Sequence, residues 1–263
     1  MAFARGDGAD IYYEVHGRGT PVVLSAGMGG SGSFWEPQLA ALAERHRVIL
    51  YDHVGTGRSA QGNRSIAGMA DDIVSVLDHS GVGAAHLVGH AIGGIVGIEL
   101  AIRHPERLRS LVVVNGWGRA DPFLRRCFEV RKQLLNEAGP LAYVRAQPLF
   151  LYPPQWISEN IARLEAEERR ILQHFPPVAT MNQRIDMFLA FDPGERLSSI
   201  RVPTLLASAR DDALVPAYLT RQLAAAIPQA RVHEVGWGAH AFTVVTPAIF
   251  NDALLGFCNE VDR

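Results

Sequence analysis

The chain has 263 residues, 48% of them hydrophobic, which suffices for a sizeable core in one large α/β domain with an insertion or in two small domains. Its 25 Lys and Arg against 27 Asp and Glu leave a formal net charge of −2, so no strong field recruits nucleic acid or an acidic membrane surface, and a small-molecule substrate is the expected partner. The two cysteines, Cys127 and Cys258, fall in no CxxC or metal-ligand spacing, which argues against a disulfide framework or a metal site and fits a reducing cytoplasm.

The opening stretch MAFARGDGADIYYEVHG lacks an apolar run of signal-peptide length. The most apolar stretch, residues 92–102, is short and contains Glu99, so export and membrane spanning are not expected. Strands are predicted at PVVLSAG (21–27), RVILYD (47–52), AHLVGH (85–90), LRSLVVVNG (108–116), VPTLLASA (202–209) and ARVHEVG (230–236). Their near-continuous hydrophobicity suits strands covered on both faces. Helical patterns fall between them at 36–45, 65–79, 92–104, 216–227 and 247–259, with Ser65 and Thr246 as N-caps, the latter followed by a proline.

This alternation predicts an α/β fold with a mostly parallel sheet, right-handed crossovers and functional loops at the carboxyl ends of the strands. Residues 117–198 break it with the helical patterns RRCFEVRKQLL and ARLEAEERRILQHF and prolines at 140, 148, 153, 154, 176 and 177. They read as a helical cap inserted after the fourth of the six strands, flanked by core segments 1–116 and 199–263. No internal repeat or low-complexity tract is present, and nothing in the pattern specifies an oligomeric state.

Residues 87–94 read LVGHAIGG. In a strand-turn-helix elbow of pattern GxSxG the central serine sits on a strained turn facing the substrate. Here Gly89 and Gly93 occupy the glycine positions and Ala91 the nucleophile position, so no hydroxyl is available. After the first predicted strand, SAGMGGSGSFW places Met28 where its backbone N–H can meet a developing oxyanion, and Ile92, just after the elbow residue, offers a second donor. An ordinary glycine-rich turn is the competing reading for that loop.

RDDALVP (210–216) and GWGAHAF (236–242) then complete the chain order elbow, acid, histidine that the hydrolase elbow predicts. Asp212, four residues before Pro216, is the favoured acid for His240, with Asp211 as the rival. A carboxylate on one imidazole nitrogen fixes the tautomer and stabilises the imidazolium when the other nitrogen takes a proton. The other histidines default to surface or hydrogen-bonded core positions, His90 being the least clear of them. No dinucleotide fingerprint, GxxxxGK or other cofactor motif is found, so no cofactor is expected.

The stretches SAGMGGSGSFW, YDHVGTGRS, GHAIGG, RDDALVP and GWGAH resemble the α/β-hydrolase superfamily over nearly the whole chain. A finer resemblance, to the RutD-like hydrolases of the Rut pathway of pyrimidine degradation, rests mainly on the cap words NGW, RRCFEVRKQLL, AQPLFLYP and RLEAEE. It implies a carbamate or aminoacrylate hydrolase that carries GHAxG at the elbow natively. One departure is Val54 in YDHVGTGRS, where superfamily members often have arginine.

Without a serine Oγ the acyl-enzyme route is closed, and a water molecule deprotonated by His240 is the remaining nucleophile. General-base assistance of ~10²–10⁴-fold and an oxyanion donor worth ~10²–10³-fold suffice only for a labile substrate. Carbamates and aminoacrylate imines meet that condition, whereas an unactivated peptide bond does not. In the cap, Trp117, Gln147 and Tyr152 are candidate substrate-binding residues, weighed against a role in the cap's own small core. The competing functional readings are a serine acyl hydrolase with a Ser→Ala replacement at 91, and a non-catalytic binding protein on this fold.

Overall fold

Alternate residues of the central strands face two separate apolar clusters in the computed structural model, which describes residues 2–263. Leu87, Leu111, Val113 and Leu206 point into one cluster, while Val88, Val112, Val114 and Leu205 point into the other. Side chains alternate across a pleated strand, so strands covered on both faces must be apolar at every position. The continuous apolar runs of the sequence are therefore the central strands of one sheet.

In chain order the strands are β1 (Ala2–Gly6), β2 (Ala9–His16), β3 (Thr20–Ser25), β4 (His46–Tyr51), β5 (Ala85–His90), β6 (Leu108–Val114), β7 (Thr204–Ala209) and β8 (Arg231–Val235). They lie in the order β1-β2-β4-β3-β5-β6-β7-β8. Pairing is parallel from β4 through β8 and antiparallel for β1 with β2 and β2 with β4. The hairpin β1-β2 is an addition to the six predicted strands.

The helices are α1 (Glu36–Ala43), α2 (Ile66–His79), α3 (Ile92–Arg103), α4 (Pro122–Gln133), α5 (Gly139–Leu151), α6 (Pro154–Glu159), α7 (Ile161–Gln173), α8 (Val178–Leu189), α9 (Ala217–Ala226), α10 (Phe242–Val245) and α11 (Pro247–Val261). Helices α2 and α3 contribute to the first cluster, and α1 and α11 to the second. Ser65 caps α2 by accepting the Gly68 N–H at 3.0 Å. Thr246 precedes α11 without capping it, because its hydroxyl donates back to the Phe242 carbonyl at 2.9 Å.

Helices α4 to α8 all lie between β6 and β7. Their buried faces, through Leu124, Phe128, Ile185 and Phe188, join the first cluster, so the insertion packs on the core rather than standing apart from it. Helix α5 also reaches the short turn Ala239–Ala241 that carries His240. Among the described residues, no single helix is long and apolar enough to cross a membrane.

Candidate active site

The chain reverses sharply at Ala91, between the end of β5 and the start of α3, with φ 48° and ψ −109°. Side chains other than glycine avoid this region, and occupying it costs on the order of 1–3 kcal/mol. The turn is pinned on both sides: the Ala91 N–H donates to the Val114 carbonyl at 2.8 Å, and the Ala91 carbonyl accepts from Ile95 at 3.1 Å. A Cβ on Gly89 would stand 2.2 Å from the Gly93 oxygen, and one on Gly93 would stand 2.3 Å from the Ser25 oxygen. The two motif glycines are thus set by the close approach of α3 to the strands. The apex carries a methyl group on this strained turn.

That approach seats the start of α3 beside the end of β3, where Ser25 pairs with Gly89 across the sheet. Ile92 is the first residue of α3, so its N–H belongs to the donors that helix geometry leaves without an internal partner. Met28 follows β3 in a turn closed by the Gly30 N–H on the Gly27 carbonyl at 3.0 Å. Its Sδ accepts from the Tyr143 hydroxyl at 3.6 Å, and that hydroxyl accepts from Arg131 at 3.2 Å. The insertion therefore holds the Met28 side chain.

Asp212 lies just beyond β7, and His240 in the turn after β8. His240 Nδ1 stands 2.8 Å from Asp212 Oδ2, and both residues are buried. The other carboxylate oxygen accepts from the N–H groups of Leu214 and Val215 at 2.8 and 2.9 Å. Because a carboxylate only accepts, Nδ1 carries the proton and Nε2 keeps the lone pair. Asp211 instead binds the backbone of the histidine turn, accepting from Gly238 at 3.1 Å and Ala239 at 2.9 Å.

The carbonyl of His240 accepts twice, from His90 Nε2 at 2.9 Å and Asn115 Nδ2 at 2.6 Å. The rings of His90 and His240 lie 4.7 Å apart at an edge-to-face angle, and Phe34 packs on the other side of His90 at 4.6 Å. Burial, with the neighbouring His240 as a smaller cause, pulls His90 down to about 3. It is neutral at working pH and places no charge beside His240. His90 thus ties the elbow to the turn that carries His240.

The three binding candidates of the insertion have separate surroundings, and of them Gln147 lies on α5, the helix that reaches the His240 turn. Trp117 is buried against Phe188, ring centroids 5.8 Å apart. Tyr152 stacks on Trp156 at 4.4 Å and 15°, and burial pushes its hydroxyl up to about 12. Both positions fit the alternative of internal packing within the insertion. Gln147 is half-buried on α5.

A group that motif reading does not single out lies in the loop after β4. His53 Nδ1 accepts from Arg184 of α8 at 2.9 Å, so its Nε2 carries the proton and donates to Ser25 Oγ at 3.2 Å. Burial, reinforced by Arg184, holds His53 well below the usual imidazole range. No motif encloses Arg184, which sits in an ordinary helical pattern. The nearest signal is Val54, an apolar residue where the resembled superfamily often has arginine. Among the described residues no cluster of three or more His, Cys, Asp or Glu side chains is arranged for a metal ion.

A family profile described as alpha/beta hydrolase fold matches residues 20–139. The chain is 65% identical, over 100% of both chains, to the protein of Azorhizobium caulinodans named "Putative carbamate hydrolase RutD". It is 52% identical to a protein of the same name from a Caulobacter species, covering 94% of this chain and 95% of that one. Among solved structures, a hydrolase from Pseudomonas aeruginosa superposes with a TM-score of 0.88 at 27% identity, over 98% of this chain and 97% of that one. The sheet order, the elbow and this similarity along the full length agree: the chain belongs to the α/β-hydrolase fold family and, within it, to the RutD hydrolases.

Proposed function

We propose that the protein hydrolyses a small labile carbamate, or the imine tautomer of a short aminoacrylate, and releases ammonia in the cytoplasmic degradation of pyrimidines. The carrying observation is the pairing of His240 with Asp212, 2.8 Å apart, alongside an elbow whose strained apex holds alanine. The base is oriented, and its free nitrogen has no serine to deprotonate. Water is the nucleophile that fits this arrangement. The names of the relatives support the carbamate substrate class and the Rut pathway, and the two free cysteines, Cys127 and Cys258, suit a reducing compartment.

With a carbamate, water adds to the carbon while its proton passes to His240 Nε2. The oxyanion forms against the N–H groups of Met28 and Ile92. The imidazolium, stabilised by Asp212, then protonates the departing nitrogen, and C–N cleavage yields ammonia and bicarbonate. With an imine, water adds to the C=N carbon, and the proton delivered to nitrogen gives a carbinolamine that collapses to an aldehyde and ammonia. General-base and oxyanion contributions of ~10²–10⁴ and ~10²–10³ are sufficient because both substrates already decompose in water.

The test is a pH-rate profile of ammonia release for the protein and its His240→Ala variant, set against the uncatalysed rate. The variant is expected to lose about 10²–10⁴-fold. Equal rates for the two proteins would remove His240 from the chemistry.

A further inference from the structure

Two arginines of the insertion, Arg131 on α4 and Arg184 on α8, are held against the loop after β3 with no carboxylate in ion-pair range among the described residues. Arg131 is 3% exposed. Its Nη2 donates to the Tyr143 hydroxyl, its guanidinium rests on the Phe128 ring at 4.6 Å, and its Nε is buried without a partner. The Nε of Arg184 is likewise buried and unpartnered, and its one side-chain partner is the neutral His53. The two helices are clamped by the ion pair of Lys132 with Asp186, which uses the only carboxylate of α8.

Removing a guanidinium from water without a counter-charge costs several kcal/mol, and folded chains ordinarily avoid it by pairing. Burial pulls Arg184 down to about 10, still well above neutral pH, so the charge persists. A retained cost of this kind is the mark of a group kept for a ligand. Position agrees: a Cβ on Gly30 would stand 2.9 Å from Arg184 Nη2, so the guanidinium lies against the residue two places beyond Met28. The Gly30 carbonyl is already taken by His53 N–H and the Thr56 hydroxyl. Arg184 also lines a small, water-sized cleft with Val54, Asn63, Arg64, Met69, Gln183 and Met187, so it is reached by solvent.

We infer that Arg184 is the anion anchor of the site, binding through its guanidinium edge the planar O–C–O group of a small singly charged substrate beside the oxyanion loop. Arg131 adds a second positive charge and, through Tyr143, steadies Met28. The fork of an arginine matches a carboxylate or carbamate in two parallel N–H···O bonds, which a lysine cannot reproduce. This inference rests on the functional reading above for the identity of the ligand as substrate; the site itself rests on the orphaned guanidinium.

The test is calorimetric titration of the whole protein at low salt with acrylate, which stands for a three-carbon enamine acid, with bicarbonate, which stands for a carbamate, and with neutral acrylamide. At least one anion is expected to bind where acrylamide does not, and its affinity is expected to fall about tenfold or more in Arg184→Met and less in Arg184→Lys. Whichever anion shows the Arg184 dependence identifies the source of the O–C–O group. Arg184→Met also removes the donor to His53 Nδ1, so its melting midpoint serves only to show that the variant is folded, and the comparison of acrylate with acrylamide reads the anchor. If Arg184→Met does not fold, Arg184→Lys carries the test with the same readout.

Anion binding unchanged by either substitution, or equal affinity for acrylate and acrylamide, overturns the anchor. His240→Ala separates the two readings: it is expected to abolish ammonia release while leaving anion affinity within about twofold. Arg184-dependent binding in a protein that accelerates no carbamate or imine breakdown would retain the anchor and discard the proposed reaction.

Discussion

Asp211 and Asp212 are neighbours that hold one histidine turn from opposite sides: Asp212 binds the His240 ring at 2.8 Å, and Asp211 binds the backbone N–H groups of Gly238 and Ala239 just before it. Their substitutions are therefore expected to fail differently. Asp212→Asn removes the acceptor that fixes the tautomer and stabilises the imidazolium, and is expected to lower kcat by about 10²–10⁴-fold. Asp211→Asn exchanges one of two backbone bonds at the surface and is expected to lower stability by about 0.5–1.5 kcal/mol, with a much smaller change in kcat. Steady-state ammonia release and urea melts on both variants check this; a larger kcat loss in Asp211→Asn would reverse the assignment.

Ala91→Ser is expected to open a route the native chain lacks. Alanine already occupies φ 48° there, so a serine brings no additional backbone strain. The hydroxyl at this elbow apex is expected to come within reach of His240 Nε2. An acyl-enzyme burst on p-nitrophenyl acetate, seen as one acetyl group of added mass on the intact protein, is the expected result. Native ammonia release is expected to fall, because the hydroxyl takes the space of the attacking water. A variant with no burst would mean that His240 Nε2 does not face the apex.

Gly93→Ala is expected to disrupt the fold rather than the chemistry. Its Cβ would press 2.3 Å from the Ser25 oxygen and 2.6 Å from the Ala26 oxygen, both main-chain atoms that cannot swing aside. Moving α3 away would part Ile92 from Met28. A stability loss of more than about 3 kcal/mol in chemical denaturation is expected, beyond the usual range for single substitutions. A variant as stable as the wild type would show that the elbow can open without damage.

What the sequence makes readable follows from how each part is buried. The five inner predicted strands, β3 to β7, are legible because burial on both faces demands mostly apolar residues, as in the VVL of β3, the LVVV of β6 and the LLA of β7. The hairpin β1-β2 escapes because it sits at the sheet edge: AFARG mixes buried with exposed positions and sends Arg5 to solvent. The order of elbow, acid and histidine is written in the chain, yet the choice between adjacent aspartates depends on which way each side chain leaves a turn. Arg131 and Arg184 are illegible for another reason. An arginine in a helical pattern reads as a solvated face, and only the docking of α4 and α8 on the core buries Arg131 and half-buries Arg184. For Tyr152, an aromatic in a proline-stiffened segment, sequence leaves pocket lining and internal packing both open, and only the fold brings its ring onto Trp156.

Stability is expected to fall as the solution is acidified below pH 6.5, because the fold buries neutral imidazoles. His90 is pulled down to about 3 by burial and by His240, His53 lies well below its usual value through burial and Arg184, and burial lowers His86 as well. Each takes a proton on unfolding that it refuses when folded. Its stabilising effect is complete above the unfolded value near 6.5 and is lost as pH drops toward the folded value, by up to about 1.4 kcal/mol per pH unit per proton. Asp72 opposes this trend: burial raises its carboxyl to about 6, so the folded state gains relative stability as pH falls from 6 toward 3.8. His53 and His90 alone outnumber the one carboxyl, which leaves a net proton uptake on unfolding near pH 5. Urea midpoints measured from pH 7 to pH 5 are expected to decline, and His90→Gln, which retains a donor for the His240 carbonyl, is expected to flatten the slope by about one proton. A midpoint that stays level across this range would mean that the imidazoles at 53 and 90 are hydrated, and with them the loop that bears Met28.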